Sequence, residues 1–217
     1  METVSFSLWE LFQMGGVFMW PLLFFSIAVV FISLERVIYL IRHNLRIDDL
    51  AAKVSEFIAE RDYAGAEEYL SALVKRRMGA RILLALIKQS APSAGRYSEH
   101  RAERAVETEA ASCISSLENG FNFLTALGSL SPLTGFLGTV SGMIGAFKSI
   151  AEATEVNAQI VANGIYEALI TTVFGLIIAI IAMIPHSIFT HIVDKFAAEI
   201  ERNCSLLITE ISRQNEN

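Results

Sequence analysis

No lysine or arginine occurs in the first 34 residues, and no Asp, Glu, Lys or Arg interrupts 11–34, 119–147 or 168–193. An ordinary soluble domain does not leave such stretches uncharged, and 53% of the chain is hydrophobic. Each window exceeds the roughly 20 residues that a helix needs to cross about 30 Å of hydrocarbon. The missing basic n-region also argues against a cleaved secretory signal. Residues 17–34 run straight into Glu35 and Arg36 without a small-residue cleavage site.

Cysteine is nearly absent. Cys113 and Cys204 have no metal-ligand spacing, and both fall in segments assigned to the reducing side of the membrane, so they read as packing residues. A Gly-rich phosphate loop, zinc spacing and a basic-aromatic surface are all missing, which excludes a nucleic-acid partner. No nucleophile, base or metal constellation points to an enzyme, and no cofactor is expected.

The pattern predicts an all-α membrane protein with three transmembrane helices and long helices extending into a helical cytoplasmic domain. Thirteen of the 17 Lys and Arg residues lie between Arg36 and Arg104. The positive-inside rule then gives an external N-terminus, periplasmic in a Gram-negative envelope, and a cytoplasmic C-terminus. The segments are a short external N-terminal piece (1–16), a first span (17–41), a cytoplasmic helical domain (42–118), a second span (119–149), an external loop (150–163), a third span (164–193) and a cytoplasmic C-terminal helix (194–217). Asp48, Asp49 and Asp62 are candidate helix caps, and 92–95, Pro-Ser-Ala-Gly, is a break. Nothing in 98–119 interrupts a helix, so that helix is expected to pass unbroken into the second span. The third span is expected to continue likewise into 194–212.

Two stripes of small residues stand out. On the second span Gly128, Ser131, Gly135, Gly138, Gly142 and Gly145 follow spacings of 3, 4, 3, 4 and 3. On the third, Gly164, Ala168, Thr172, Gly175, Ala179 and Ala182 follow 4, 4, 3, 4 and 3. Helices in lipid gain no hydrophobic drive toward one another. Small residues let their backbones approach, so the two spans are expected to pack closely. Pro132 and Pro185 each remove a backbone donor and are candidate bends. The first span, rich in Leu, Phe, Ile and Val, suits membrane lipid.

Hydroxyls are the main polar groups inside the spans, including Thr125, Thr134, Thr139, Thr171 and Thr172. Each alone most often bonds its own backbone one turn earlier; together they suit a wetted pore for either H⁺ or Na⁺. Neither span carries Asp, Glu or Lys in its interior. A proton path through hydrocarbon usually needs such a group, which then belongs to another subunit. Glu118 and Glu167 sit at the span ends as candidate pore-mouth residues, and His186 reads as interfacial.

The runs LGSLSPLTGFLGTVSGMIGAF (127–147) and GIYEALITTVFGL (164–176), with DYAGA (62–66), resemble the MotA/TolQ/ExbB proton-channel family. Three spans resemble its ExbB/TolQ type. The resemblance implies a homopentameric ring around single-span ExbD/TolR-like partners, whose span carries the proton-binding aspartate, and a TonB/TolA-like protein beyond. Carried over by position, Thr139 and Thr172 match pore threonines, Glu167 the motif glutamate and Pro132 the span-2 proline. Thr171 joins the pore group as a second hydroxyl where alanine is common. Ser141 stands where some members have tryptophan. The function implied is an inner-membrane motor driven by the proton-motive force, about 2.3 kcal/mol per charge per 100 mV. It would serve TonB-dependent uptake or a Tol-Pal system. The alternative is a passive oligomeric scaffold that conducts nothing.

Overall fold

Helix is the only regular structure among the described residues of the computed structural model, which are 8–91, 97–152 and 158–216. The elements are α1 (Leu8–Met14), α2 (Met19–Arg42), α3 (Asp48–Ala59), α4 (Tyr63–Leu73), α5 (Met78–Ser90), α6 (Glu99–Glu118), α7 (Phe121–Glu152) and α8 (Ala158–Glu216). The break expected at 92–95 lies outside the described residues. The chain divides into two compact units, Met1–Glu35 with Gly120–Ser187 and Arg36–Asn119 with Ile188–Asn217.

In the first unit the sequence places apolar side chains on almost every outward face. Trp20, Phe24, Ile27 and Phe31 on α2 are exposed, as are Leu133, Phe136 and Ile144 on α7 and Leu169, Val173 and Ile180 on α8. Water would charge about 25 cal/mol for each Å² of such surface, whereas hydrocarbon covers it without penalty. Among the described residues, three helices are long and apolar enough to cross a membrane. The fold is therefore that of an all-α membrane protein. At the start of α2, Trp9 stacks on Phe12 at 5.7 Å, and Phe12 meets the edge of Trp20 at 5.4 Å. Aromatic clusters of this kind suit the membrane–water boundary.

The passage between α6 and α7 departs from expectation. The helix does not run through: Asn119 turns to ψ 128° and Gly120 adopts φ +92° before α7 begins at Phe121. A residue with a Cβ pays a steric penalty at such a φ, so Gly120 ends one helix and permits the next to start. The stop lies one residue beyond the stretch that the sequence shows as uninterrupted. By contrast α8 runs for 59 residues without a break, Pro185 included. α7 extends to Glu152 and α8 starts at Ala158, so the described residues of the segment read as a loop, 150–152 and 158–163, are helical; 153–157 lie outside the described residues.

In the second unit, α3 to α6 bury one apolar face each. Leu50, Val54, Ile58, Leu70, Ile82, Leu83, Leu86 and Leu117 are all inaccessible. Asp62 caps α4 by accepting from the Gly65 amide at 2.9 Å. A Cβ on Gly65 would lie 2.2 Å from the Asp62 carboxylate, so the DYAGA run encodes a cap together with the space for it. Asp62→Ala is expected to cost about 1 kcal/mol of stability, measurable by thermal unfolding; an unchanged midpoint would remove the cap from the account.

Asp48 and Asp49 occupy the first turn of α3 without capping it. Each has a partner distant in sequence instead. Asp48 accepts from Asn203 and from Arg202, both at 2.8 Å, and these bonds hold its carboxyl below the usual value. Asp49 takes both ends of the Arg77 guanidinium at 2.6 Å, and Arg77 also donates to the Arg46 carbonyl. Ser55 donates to Glu210 and Gln214 to the Ile58 carbonyl, fastening 199–216 of α8 onto α3.

Both cysteines are free and buried. Burial pushes the Cys204 thiol up to about 12, leaving roughly one thiolate in ten thousand at pH 8, and thiolate is the reactive form. The folded protein is expected to resist a membrane-permeant maleimide at pH 8 and to react once denatured. Labelling of Cys204 at the rate of a free thiol would contradict its position.

Candidate functional site

α7 and α8 make a seam in which backbone meets backbone. A Cβ on Gly135 would lie 2.7 Å from the Thr171 carbonyl oxygen and 3.0 Å from the Thr172 Cα. One on Gly175 would lie 2.5 Å from the Ser131 carbonyl oxygen. One on Gly164 would meet the Ala146 Cβ at 2.6 Å, and one on Gly142 the Gly164 carbonyl at 3.0 Å. Gly128 faces Met183 and Ala182. Ser131 and Ala168 are buried in the same seam, and Ala179 is half-buried. The two stripes thus face each other within one chain. Gly145 differs, because a Cβ there would meet nothing within 4 Å.

Hydrogen bonds centre on Gly135. Its carbonyl accepts from Thr171 Oγ1 at 3.3 Å and from Thr172 Oγ1 at 3.2 Å. Thr171 also donates to the Ala168 carbonyl at 2.8 Å and is 1% exposed. Its hydroxyl is enclosed by the seam, and its Oγ1 would lie 2.4 Å from a Cβ on Gly138. Thr172, half-buried, sits at the margin. Thr139 is one turn beyond Gly135 and also half-buried, with its hydroxyl donating to the Phe136 carbonyl at 2.6 Å. At 3.6 residues per turn Thr139 falls on the same flank of the pair as Thr172, with Pro132 about two turns before Thr139. Thr125 and Thr134 bond carbonyls one turn back on α7.

Glu167 belongs to the other flank. Its Oε1 is 1.9 Å from where a Cβ on Gly16 would be, and Gly16 turns at φ +67° between α1 and α2. Gly15 lies against Ile170 in the same way. Glu167 lines a cleft of about 700 Å³ with Ser141, Gly145, Ser149, Asn163 and Tyr166. The structure therefore separates Thr139 and Thr172 from Glu167. The Gly15–Gly16 turn was not singled out from the sequence; a Gly-Gly pair directly before a span is the signal that marked it. His186 meets the edge of Phe121 at 6.1 Å, in keeping with a packing role, and Glu118 is exposed at the end of α6.

Residues 72–202, which include the whole seam, match the model of the MotA/TolQ/ExbB proton channel family. The chain belongs to that family. It is 32% identical over 199 residues to the ExbB-like 1 biopolymer transport protein of Synechocystis sp., a match covering 86% of this chain and 74% of that protein. It is 28% identical over 211 residues to biopolymer transport protein exbB1 of Vibrio cholerae, covering 90% and 84%. To the Tol-Pal system protein TolQ of Haemophilus influenzae it is 45% identical over 74 residues, 34% of this chain and 32% of that protein. The proton-channel family is not an enzyme class, and its membership together with the three apolar helices makes this a multi-pass inner-membrane protein.

Proposed function

We propose that this protein is the channel subunit of an inner-membrane motor: a ring of its copies, five by family resemblance, encloses a single-span ExbD/TolR-like partner. Proton-motive force acts through that partner on a TonB- or TolA-like protein. The observation that carries this reading is the pairing of a family-matched seam with charge-free windows at 119–147 and 168–193. These residues supply hydroxyls but no proton carrier, so the carboxylate comes from the partner. Thr139 and Thr172 flank the proton path, and Glu167 serves as a polar residue at the end nearer the 153–157 connection. The enclosed Thr171 hydroxyl holds the seam together. The N-terminus is periplasmic and the C-terminus cytoplasmic, in accord with the Lys and Arg distribution.

Reconstitution into liposomes tests the reading. With the single-span protein encoded beside it, the complex is expected to dissipate an imposed pH gradient. The chain alone, or a complex whose partner lacks its intramembrane Asp, is expected to hold the gradient. Equal tightness of all three preparations would favour the passive scaffold.

A further inference from the structure

A second cleft, of about 850 Å³, lies in the second unit between the end of α2, the following turn and residues 191–199 of α8. Leu40, Ile41, Leu45, Ile192 and Phe196 make its apolar wall. Arg46, Lys195 and His191 supply nitrogen groups, and Glu199 adds a carboxylate. That carboxylate already faces Lys195 at 3.9 Å. Among the described residues the Arg46 guanidinium forms no ion pair, and the hydrogen bonds at this residue are those of its own amide and carbonyl. Asn44 holds the turn open in a left-handed conformation, φ +28°, and its side chain accepts from the Arg46 amide at 3.3 Å.

The chemistry of the walls narrows the occupant. An apolar wall this large does not serve a bare phosphate ion, and the volume is at the upper end of small-molecule sites, roughly 300–1,000 Å³. A neutral apolar ligand leaves the unpaired guanidinium unused. The exposed isoleucines Ile38 and Ile41 of α2 and Ile188 and Ile192 of α8 lead out of the cleft along the apolar surface. That is the arrangement for an amphiphile with a negative head and apolar tails, held where the apolar surface gives way to charge. Basic clefts between helices at this level suit anionic headgroups.

We infer that this cleft binds an anionic phospholipid of the adjoining leaflet, its phosphate on Arg46 and Lys195 and its acyl chains along Ile41 and Ile192. The site is independent of the proposed motor, since it uses none of the seam.

Native mass spectrometry of the full chain tests it, with lipid added to delipidated protein. Phosphatidylglycerol is expected to be retained, and phosphatidylcholine and glycerol phosphate to be lost. Arg46→Gln with Lys195→Gln is expected to weaken phosphatidylglycerol retention roughly tenfold or more. Ile41→Gln, at a residue 75% exposed, should weaken it too, while Lys75→Gln on the exposed side of the unit should not. Continued protection of Cys204 from maleimide certifies that each variant is folded. Undiminished retention by the folded double variant would overturn the site, as would equal retention of phosphatidylcholine. Binding of glycerol phosphate as tight as that of the lipid would show a phosphate site without a role for the acyl chains, and would also overturn it.

Discussion

Gly175→Leu is expected to prevent recovery of a folded assembly. Even the first carbon of the new side chain would lie 2.5 Å from the Ser131 carbonyl oxygen and 3.3 Å from the Gly135 Cα. Those atoms are backbone within a helix, so no rotamer change relieves the clash. Overpacking commonly costs about 1–3 kcal/mol, and a backbone obstacle puts this variant at or beyond the upper end. Gly135→Leu is expected to behave alike, for the corresponding distance to the Thr171 carbonyl is 2.7 Å. Gly145→Ala is the contrast, because its added carbon meets nothing within 4 Å in the chain. Thermal unfolding in detergent and native mass spectrometry read both properties. A Gly175→Leu protein that unfolds with the wild type would mean that the seam does not exist. If Gly145→Ala keeps its unfolding temperature but loses its oligomer, a neighbouring copy covers that glycine.

The second large effect concerns the hydroxyls. Thr139→Val with Thr172→Val is expected to leave assembly intact and to lower proton flux by roughly tenfold or more, since drying a polar path costs a few kcal/mol per lost partner. Valine keeps the branched shape and loses only the hydroxyl. The carbonyls of Phe136 and Gly135, which these hydroxyls reach at 2.6 and 3.2 Å, lie in a helix that supplies its own main-chain donors. The hydroxyls are therefore free to turn toward water or a partner's carboxylate. Thr171→Val should show the opposite pattern: its enclosed hydroxyl bridges Ala168 and Gly135 across the seam, so about 1 kcal/mol of stability is lost and flux is retained. Liposome flux beside thermal unfolding separates the cases. Wild-type flux in the double variant would make Thr139 and Thr172 structural.

These contrasts show which relations the sequence carried. The stripes were legible because close approach in lipid demands small residues at helical spacing, a pattern visible one helix at a time. Which threonine the seam would enclose was not, since Thr171 and Thr172 are adjacent and only the rotation of α8 against α7 decides between them. The seat of Glu167 on Gly16 joins residues about 150 apart and leaves no local trace. Asp48 and Asp49 look like caps because acidic residues favour a first turn, yet Arg202, Asn203 and Arg77 lie within reach and take them. The stop at Gly120 was readable in principle, for a glycine after a charged helix is a common terminator.

The two flanks of the α7–α8 pair are chemically unlike, Thr139 and Thr172 on one and Ser141, Gly145 and Glu167 on the other. A pair with two unlike flanks can offer one flank to one neighbour and the other flank to the next. In the ring proposed above, copies associate head to tail, and the rotation from each to the next decides whether the assembly closes or grows without end. Five copies demand a turn of about 72° at every joint. Subunit number in that ring is then a matter of angle rather than of affinity: six copies turn by about 60° each, so a substitution at the joint yields the larger ring, and a wider lumen, only when it changes the angle by about 12°.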